Sequence, residues 1–86
     1  MGLSQFLTAG VDIVDPESIG LPGDIHIFAA KSDAGSFWLV INDEDPSADA
    51  AYAVVPNGSL VHDKTNHKIW SKSGDFGATD GTFVAI

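Results

Sequence analysis

Glycine and proline residues interrupt this chain so often that the apolar runs between them are too short for long helices. The chain has 86 residues, of which nine are glycine and four are proline. Runs such as 24–30, 36–41 and 82–86 have the length of β-strands, and turn-forming segments separate them. A chain of this length suffices for one small domain. The pattern therefore predicts an all-β fold, as a small antiparallel β-sandwich or barrel-like domain.

In the segment 36–41, every residue after Ser36 is apolar. A strand with one face in water alternates apolar and polar residues, so a continuous apolar run is typical of a strand that is covered on both faces. The second cover is either a partner chain or the N-terminal segment. Phe37 and Trp38, which lie in this run, are therefore predicted to contact a partner.

The first ten residues are predicted to form an N-terminal arm or a short helix, outside a single β domain of residues 11–86. Leu3, Phe6 and Leu7 recur at helical spacing and would share one face. So short a helix is marginal in isolation, and an extended arm fits the residues equally well. These three apolar residues are predicted to contact a partner.

The local structure of three further segments can be predicted. Asp15 and Pro16 are typical of the first residues of a helical turn, as N-cap and first helical residue. Residues 50–55 are predicted as a strand, and the Asn-Gly pair that follows is typical of a tight turn. Residues 73–81 contain glycines at both ends and in the middle, and they are predicted as a mobile loop.

The charge of the chain excludes several classes of partner. It has twelve acidic residues against four basic ones, all lysine, for a net charge of −8. Nucleic acids and anionic membranes bind basic surfaces, so neither is expected as a partner. The chain has no cysteine, which excludes disulfides and thiolate metal sites. No segment approaches the roughly 20 apolar residues of a transmembrane helix.

Two groups of side chains have ligand chemistry without the spacing of a metal site. The acidic loop 42–49 offers oxygen ligands suited to Ca²⁺, but it lacks the EF-hand spacing and Pro46 interrupts it. His26, His62 and His67 could contribute to a zinc site, yet solvent-facing strand positions fit them better. No catalytic, cofactor-binding or metal-binding residue is predicted, no cofactor is expected, and the chain is not expected to be an enzyme.

Trp70 is the remaining aromatic candidate. Alternation along its strand places Lys68, Trp70 and Lys72 on one face and Ile69 on the other. That face could stack on a sugar. Alternatively, Trp70 packs at the edge of the core while the lysine stems cover apolar surface. Trp70 is included among the residues predicted to contact a partner.

The C-terminal third, residues 58–86, resembles a segment that recurs in structural proteins of tailed bacteriophages. There a glycine opens a strand, a polar turn follows, and an apolar-aromatic pair, a lysine, a glycine-rich loop and an aromatic strand complete the segment. The matching positions are Gly58, Leu60, Asp63, Thr65, Asn66, Lys68, Ile69, Trp70, Lys72, Gly74, Gly81, Phe83, Val84 and Ile86. Two features depart from it: Val61 and His62 replace an aromatic, and Phe83 replaces the usual tryptophan.

The resemblance implies a virion structural protein that is made in the cytoplasm of a host bacterium. Small size and acidity favour a capsid-decoration or cement protein, which stabilises the capsid surface by binding the major capsid protein. As a class, such proteins often form trimers and grip the capsid with an N-terminal arm, which residues 1–10 would supply. The alternatives are a β domain associated with a tail or fibre, and a carbohydrate-binding module that uses Trp38 or Trp70.

Overall fold

The computed structural model describes residues 11–33 and 35–86, which form six strands and three short 3₁₀ helices. The strands are β1 (Val11–Val14), β2 (His26–Ser32), β3 (Gly35–Asn42), β4 (Leu60–Asp63), β5 (Lys68–Lys72) and β6 (Phe83–Ala85). The 3₁₀ helices are Pro16–Ile19, Pro46–Ala48 and Ala50–Val54. The all-β prediction is confirmed. The predicted arm, residues 1–10, lies outside the described residues.

The strands form one sheet in which each strand pairs with the next strand of the chain, in the order β1-β2-β3-β4-β5-β6. Four pairings are antiparallel, and the pairing of β3 with β4 is parallel. A parallel pair needs a crossover of a dozen or more residues, whereas an antiparallel pair needs only a turn. Residues 43–59 form that crossover and contain the second and third 3₁₀ helices. The sheet is therefore mixed rather than purely antiparallel.

The helical turn predicted at Asp15 and Pro16 is confirmed. The Asp15 carboxylate accepts a hydrogen bond of 3.1 Å from the Glu17 backbone N–H, and Pro16 occupies the start of the helix. The helix ends at Gly20, whose φ of 86° is in the left-handed region that glycine adopts without strain.

The strand predicted for residues 50–55 is wrong, because this segment forms the third 3₁₀ helix. The Asp49 carboxylate accepts a hydrogen bond of 2.9 Å from the Ala51 N–H. Asp45 caps the preceding helix in the same way, through the Ser47 N–H at 2.8 Å. An aspartate directly before a run of small residues is a good N-cap. Here the capping interactions outweigh the β-propensity of Tyr52 and the valines.

The core lies on one side of the sheet, along a row of paired residues that crosses all six strands. This core row is Val14, Ile27, Val40, Val61, Trp70 and Ala85. Ile27, Val40 and Val61 are fully buried. Leu21 and Ile25 cover them from the β1–β2 connection, and Tyr52 and Val55 cover them from the crossover. Ile25 and Ile27 belong to the run 24–30 that the sequence predicted as a strand, and both are buried in this core. Full burial of each aliphatic side chain contributes about 1.5–3 kcal/mol.

Candidate functional site

The opposite side of the sheet carries a second row of paired residues that also crosses all six strands. This outer row is Ile13, Phe28, Leu39, Leu60, Ser71 and Val84, so it is apolar at five of six positions. Ile13 is 81%, Val84 54% and Leu39 37% exposed. Among the described residues, nothing covers this row as the crossover covers the core row.

Two shorter rows flank the outer row on the same side. One is Val11, Ala30 and Phe37, and the other is His26, Ile41, His62 and Ile69. Ile86 extends the second row, because its N–H donates to the Ile69 carbonyl at 2.9 Å. We call the outer row and these two rows together the outer face. Its residues are apolar except for two histidines and one serine.

The outer face carries no charged residue at any strand position that the structure describes. The charged strand residues are Asp12, Lys31, Asp63, Lys68 and Lys72, and all five alternate to the core side. A sheet with one face in water normally places its polar residues on that face. The distribution here is reversed, which makes the outer face the candidate for an interaction surface.

The structure separates the aromatic residues that the sequence grouped as partner contacts. Phe37 lies on the outer face and is half-buried. Trp38 and Trp70 lie on the core side, where both pack against the buried cluster. The packing of Trp70 at the edge of the core agrees with the second interpretation of its strand. Leu3, Phe6 and Leu7 lie outside the described residues.

Sequence reasoning missed the outermost members of the outer face, Ile13 and Val84. The sequence did indicate that the outer side of the sheet is apolar, because β2 and β3 have apolar residues at positions that point to both sides. The missing information was the register, because the outer row joins residues that are far apart in the chain.

Lys72 is only 2% exposed, and its ammonium group is satisfied by backbone carbonyls. It donates to the carbonyls of Ala53 at 3.0 Å, Val55 at 2.7 Å and Thr79 at 2.8 Å. Burial lowers the pKa of Lys72, and the negative charge of Asp80 partly opposes this. All three donors are in use, so this lysine is a structural tie between the crossover and the loop after β5. The expectation that its stem covers surface with its charge in water is wrong.

Phe83 completes the surroundings of this ammonium group. The Lys72 nitrogen lies 5.4 Å from the centroid of the Phe83 ring, within the range of a cation–π interaction. The two residues are directly paired across β5 and β6. Phe83, the first residue of β6, therefore contacts the same ammonium group that binds the carbonyls of the crossover.

Asn57 is a second buried polar tie, and it holds the loop 73–81. Its side-chain nitrogen donates to the Asp75 carbonyl at 3.0 Å and to the Asp80 carboxylate at 2.9 Å. Its side-chain oxygen accepts from the Gly81 N–H at 2.8 Å. This loop was predicted to be mobile from its glycines, but Asn57 and Lys72 bond it to the domain at four points.

A cleft of about 400 Å³ lies between the crossover and residues 79–83. Its polar walls include Asp49, Asp80 and Lys72. Each of these groups already has a partner within the fold: Asp49 caps a helix, Asp80 accepts from Asn57, and Lys72 binds three carbonyls. These three groups of the cleft therefore serve the fold.

The acidic loop 42–49 is also committed to local structure. The Asn42 amide donates to the Glu44 carbonyl at 2.8 Å and to the Tyr52 hydroxyl at 3.1 Å. Burial raises the pKa of Tyr52, although the hydrogen bond from Asn42 opposes this. Asp45 and Asp49 are N-caps. Among residues 11–33 and 35–86, no group of three or more histidine or acidic side chains is arranged to hold a metal ion.

Asp63 organises the turn between β4 and β5. One carboxylate oxygen accepts from the backbone N–H groups of Thr65 and Asn66, both at 3.1 Å, and the other accepts from the Asn66 amide at 2.7 Å. Burial by itself raises the pKa of Asp63. The hydrogen bonds from Asn66 and Thr65 outweigh burial and hold this pKa below its usual value.

This lowered pKa predicts that Asp63 contributes to stability only while it is ionised. The unfolded chain binds the proton more readily, so stability falls as the pH drops below about 4 and through the folded-state pKa. In Asp63→Asn this acid-dependent loss is expected to be smaller. Urea unfolding followed by tryptophan fluorescence from neutral pH to pH 2 measures it. Asp12→Asn controls for net charge, and equal acid slopes in wild type and Asp63→Asn contradict the prediction.

No protein-family model matches this chain, and no curated protein sequence or solved structure gives a significant match. Within the described ranges there is no helix with the length and apolar character needed to cross a membrane. The candidate functional site therefore rests on geometry, which identifies the outer face.

Proposed function

We propose that this chain is a non-enzymatic assembly domain and that it joins a larger structure through its outer face. The observation that supports this is an apolar sheet face without charged strand residues, on a chain whose net charge is −8. The buried polar side chains Lys72 and Asn57 are used to hold the fold together on the core side. An exposed apolar face has a physical reason to be retained when a partner covers it.

The size of the outer face favours assembly in many copies over one very tight contact. Adjacent strands lie about 4.8 Å apart and outward residues on one strand about 6.8 Å apart, so the face covers on the order of 500 Å² including its side chains. At about 25 cal/mol per Å², burying this face and its partner gives a gross gain on the order of 25 kcal/mol. Loss of rigid-body freedom and side-chain ordering offset much of that. Repeated contacts on a shell add avidity to such an interface.

The finer form of this proposal is a capsid-decoration protein of a tailed bacteriophage, located on the virion and bound to its major capsid protein. Its support is the resemblance of residues 58–86 to segments of phage structural proteins. In the structure this segment builds β4, β5 and β6 and supplies Leu60, Ile69 and Val84 to the outer face. A tail- or fibre-associated domain would use the face in the same way. The carbohydrate-binding alternative has less support, because Trp38 and Trp70 pack against the core.

On this proposal a phage encodes the chain, and the test compares two matched substitutions in the virions of that phage. Leu39→Glu places a carboxylate in the middle of the outer row, where Leu39 is 37% exposed. Val54→Glu makes the same type of change at a residue of the crossover that is 41% exposed and lies off the outer face. Quantitative mass spectrometry of purified virions should find wild type and Val54→Glu in a fixed ratio to the major capsid protein, and Leu39→Glu depleted at least tenfold.

Urea unfolding of both variants ensures that depletion reflects docking rather than folding. The absence of the wild-type protein from virions contradicts the virion form of the proposal. Incorporation of Leu39→Glu at the wild-type level contradicts the role of the outer face.

A further inference from the structure

We infer that the partner on the outer face is a second copy of this chain, packed face to face so that two sheets form a sandwich. This inference rests on the proposed function and deepens it, since it names the contact that covers the outer face: two copies pair there, and the larger structure incorporates the chain as that dimer. Three observations carry it: the charge distribution, the exposure profile across the sheet, and the area of the face.

The charge distribution favours a copy of the chain over a basic partner. A basic partner would be recognised by carboxylates, and the described strand positions of the outer face have none. Two chains of net charge −8 repel each other wherever their acidic surfaces meet. The outer face is a surface on which two copies can meet without opposing carboxylates from the strands. Its chemistry is also matched to itself, because both sides are apolar.

The exposure profile fits a two-fold arrangement. Exposure along the outer row is greatest at the two edge strands, where Ile13 is 81% and Val84 54% exposed, and lower at Leu39 in the middle. A two-fold axis parallel to the strands, between β3 and β4, stacks β1 of one copy on β6 of the other. Ile13 then faces Val84 of the second copy, and the reciprocal contact forms at the other end. This arrangement therefore covers Ile13 and Val84, the two most exposed residues of the outer row.

The area sets the expected strength. Two faces on the order of 500 Å² each give about 1,000 Å² in total, which is close to the lower limit for a specific interface. Sheets stacked face to face interdigitate at a spacing of about 10 Å. We therefore expect a reversible dimer whose dissociation constant lies in the micromolar range. This closed pairing gives a dimer in place of the trimer that the phage resemblance implied.

Sedimentation equilibrium of the full chain over a wide range of concentrations tests the inference. Wild type is expected to shift from 9.0 kDa to twice that mass as concentration rises. In Leu39→Glu the dissociation constant should rise at least tenfold, because a carboxylate from each copy is buried in the interface. Val54→Glu should associate like wild type. A wild-type chain that stays monomeric, or association that Leu39→Glu leaves unchanged, overturns the inference.

A further full-length variant separates the other possible occupants. It replaces Leu3, Phe6 and Leu7 with serine. Dimerisation of this variant at the wild-type constant supports the second copy as occupant. If wild type is monomeric and this variant dimerises, the N-terminal residues occupy the face, and the inference fails. If wild type is monomeric while Leu39→Glu is still lost from virions, a different protein occupies the face. The inference of a dimer is then wrong, and the proposed assembly function is supported.

Discussion

Replacement of Lys72 by methionine is expected to remove a large part of the stability of the domain. Methionine keeps an unbranched apolar stem but loses the ammonium group that binds the carbonyls of Ala53, Val55 and Thr79. A buried carbonyl left without its donor costs about 1–3 kcal/mol, so three carbonyls together account for a loss on the order of 5 kcal/mol. At roughly 0.05–0.15 kcal/mol per residue, a domain of this size has only about 4–13 kcal/mol of stability.

Lys68→Met is the matched control for this substitution. Lys68 lies on the same strand and the same side of the sheet, but it is exposed and its substitution should change stability by less than about 0.5 kcal/mol. Urea unfolding measures both variants, and the half-buried tryptophans Trp38 and Trp70 serve as fluorescence probes. Equal free energies of unfolding for the two variants would show that the three carbonyls find other donors. In that case Lys72 is not the tie that the structure indicates.

The different roles of these two lysines show where sequence reasoning stops. Strand alternation correctly predicts that Lys68 and Lys72 share a side of the sheet. It does not show that one of them is buried, because the carbonyls that bind Lys72 belong to the crossover and to the loop after β5. Those contacts are non-local, so they are invisible to a pattern that spans a few residues.

The strands themselves were more predictable than their partners. The apolar runs predicted β2, β3 and β6, and the Asp-Pro pair predicted the first 3₁₀ helix, because these signals act within a few residues. The segment 50–55 was mistaken for a strand because the sequence does not show whether Asp49 is a loop residue or a helix N-cap. The hydrogen bond from the Ala51 N–H to the Asp49 carboxylate identifies it as an N-cap. The parallel pairing of β3 with β4 depends on the crossover, and no sequence pattern predicted it.

The two sides of the sheet have different roles: the core side stabilises the fold, and the outer face is the proposed surface for association. On the core side, Lys72 and Asn57 tie the crossover and the loop 73–81 to the sheet, and the charged strand residues lie there as well. The outer face contributes no hydrogen-bonded charge to the fold. Substitutions of the buried residues Lys72 and Asn57 on the core side should therefore change stability, whereas charge substitutions in the outer row should change association. This division makes the two sets of experiments independent.

Asn57→Asp is expected to be the second severe substitution, although it changes the shape of the side chain very little. The new carboxylate still accepts from the Gly81 N–H, but it places an oxygen where the amide donated to Asp80 at 2.9 Å and to the Asp75 carbonyl at 3.0 Å. We expect a loss of about 3–5 kcal/mol at neutral pH, as for an unpaired buried charge. Burial and the nearby Asp80 favour the protonated form of the new carboxyl in the folded state. The loss should therefore shrink as the pH falls towards 4.

A double-mutant cycle with Asp80→Asn isolates this repulsion. In the double variant Asn57→Asp with Asp80→Asn, an amide at position 80 can donate to the carboxylate at position 57, which reverses the native hydrogen bond. The double variant should therefore be more stable at neutral pH than the sum of the two single effects predicts, with a coupling energy of about 1–3 kcal/mol. Urea unfolding of the four proteins at neutral and acidic pH measures the cycle. Strictly additive effects at both pH values would mean that Asn57 stabilises the loop through Gly81 and the Asp75 carbonyl, without a contribution from Asp80.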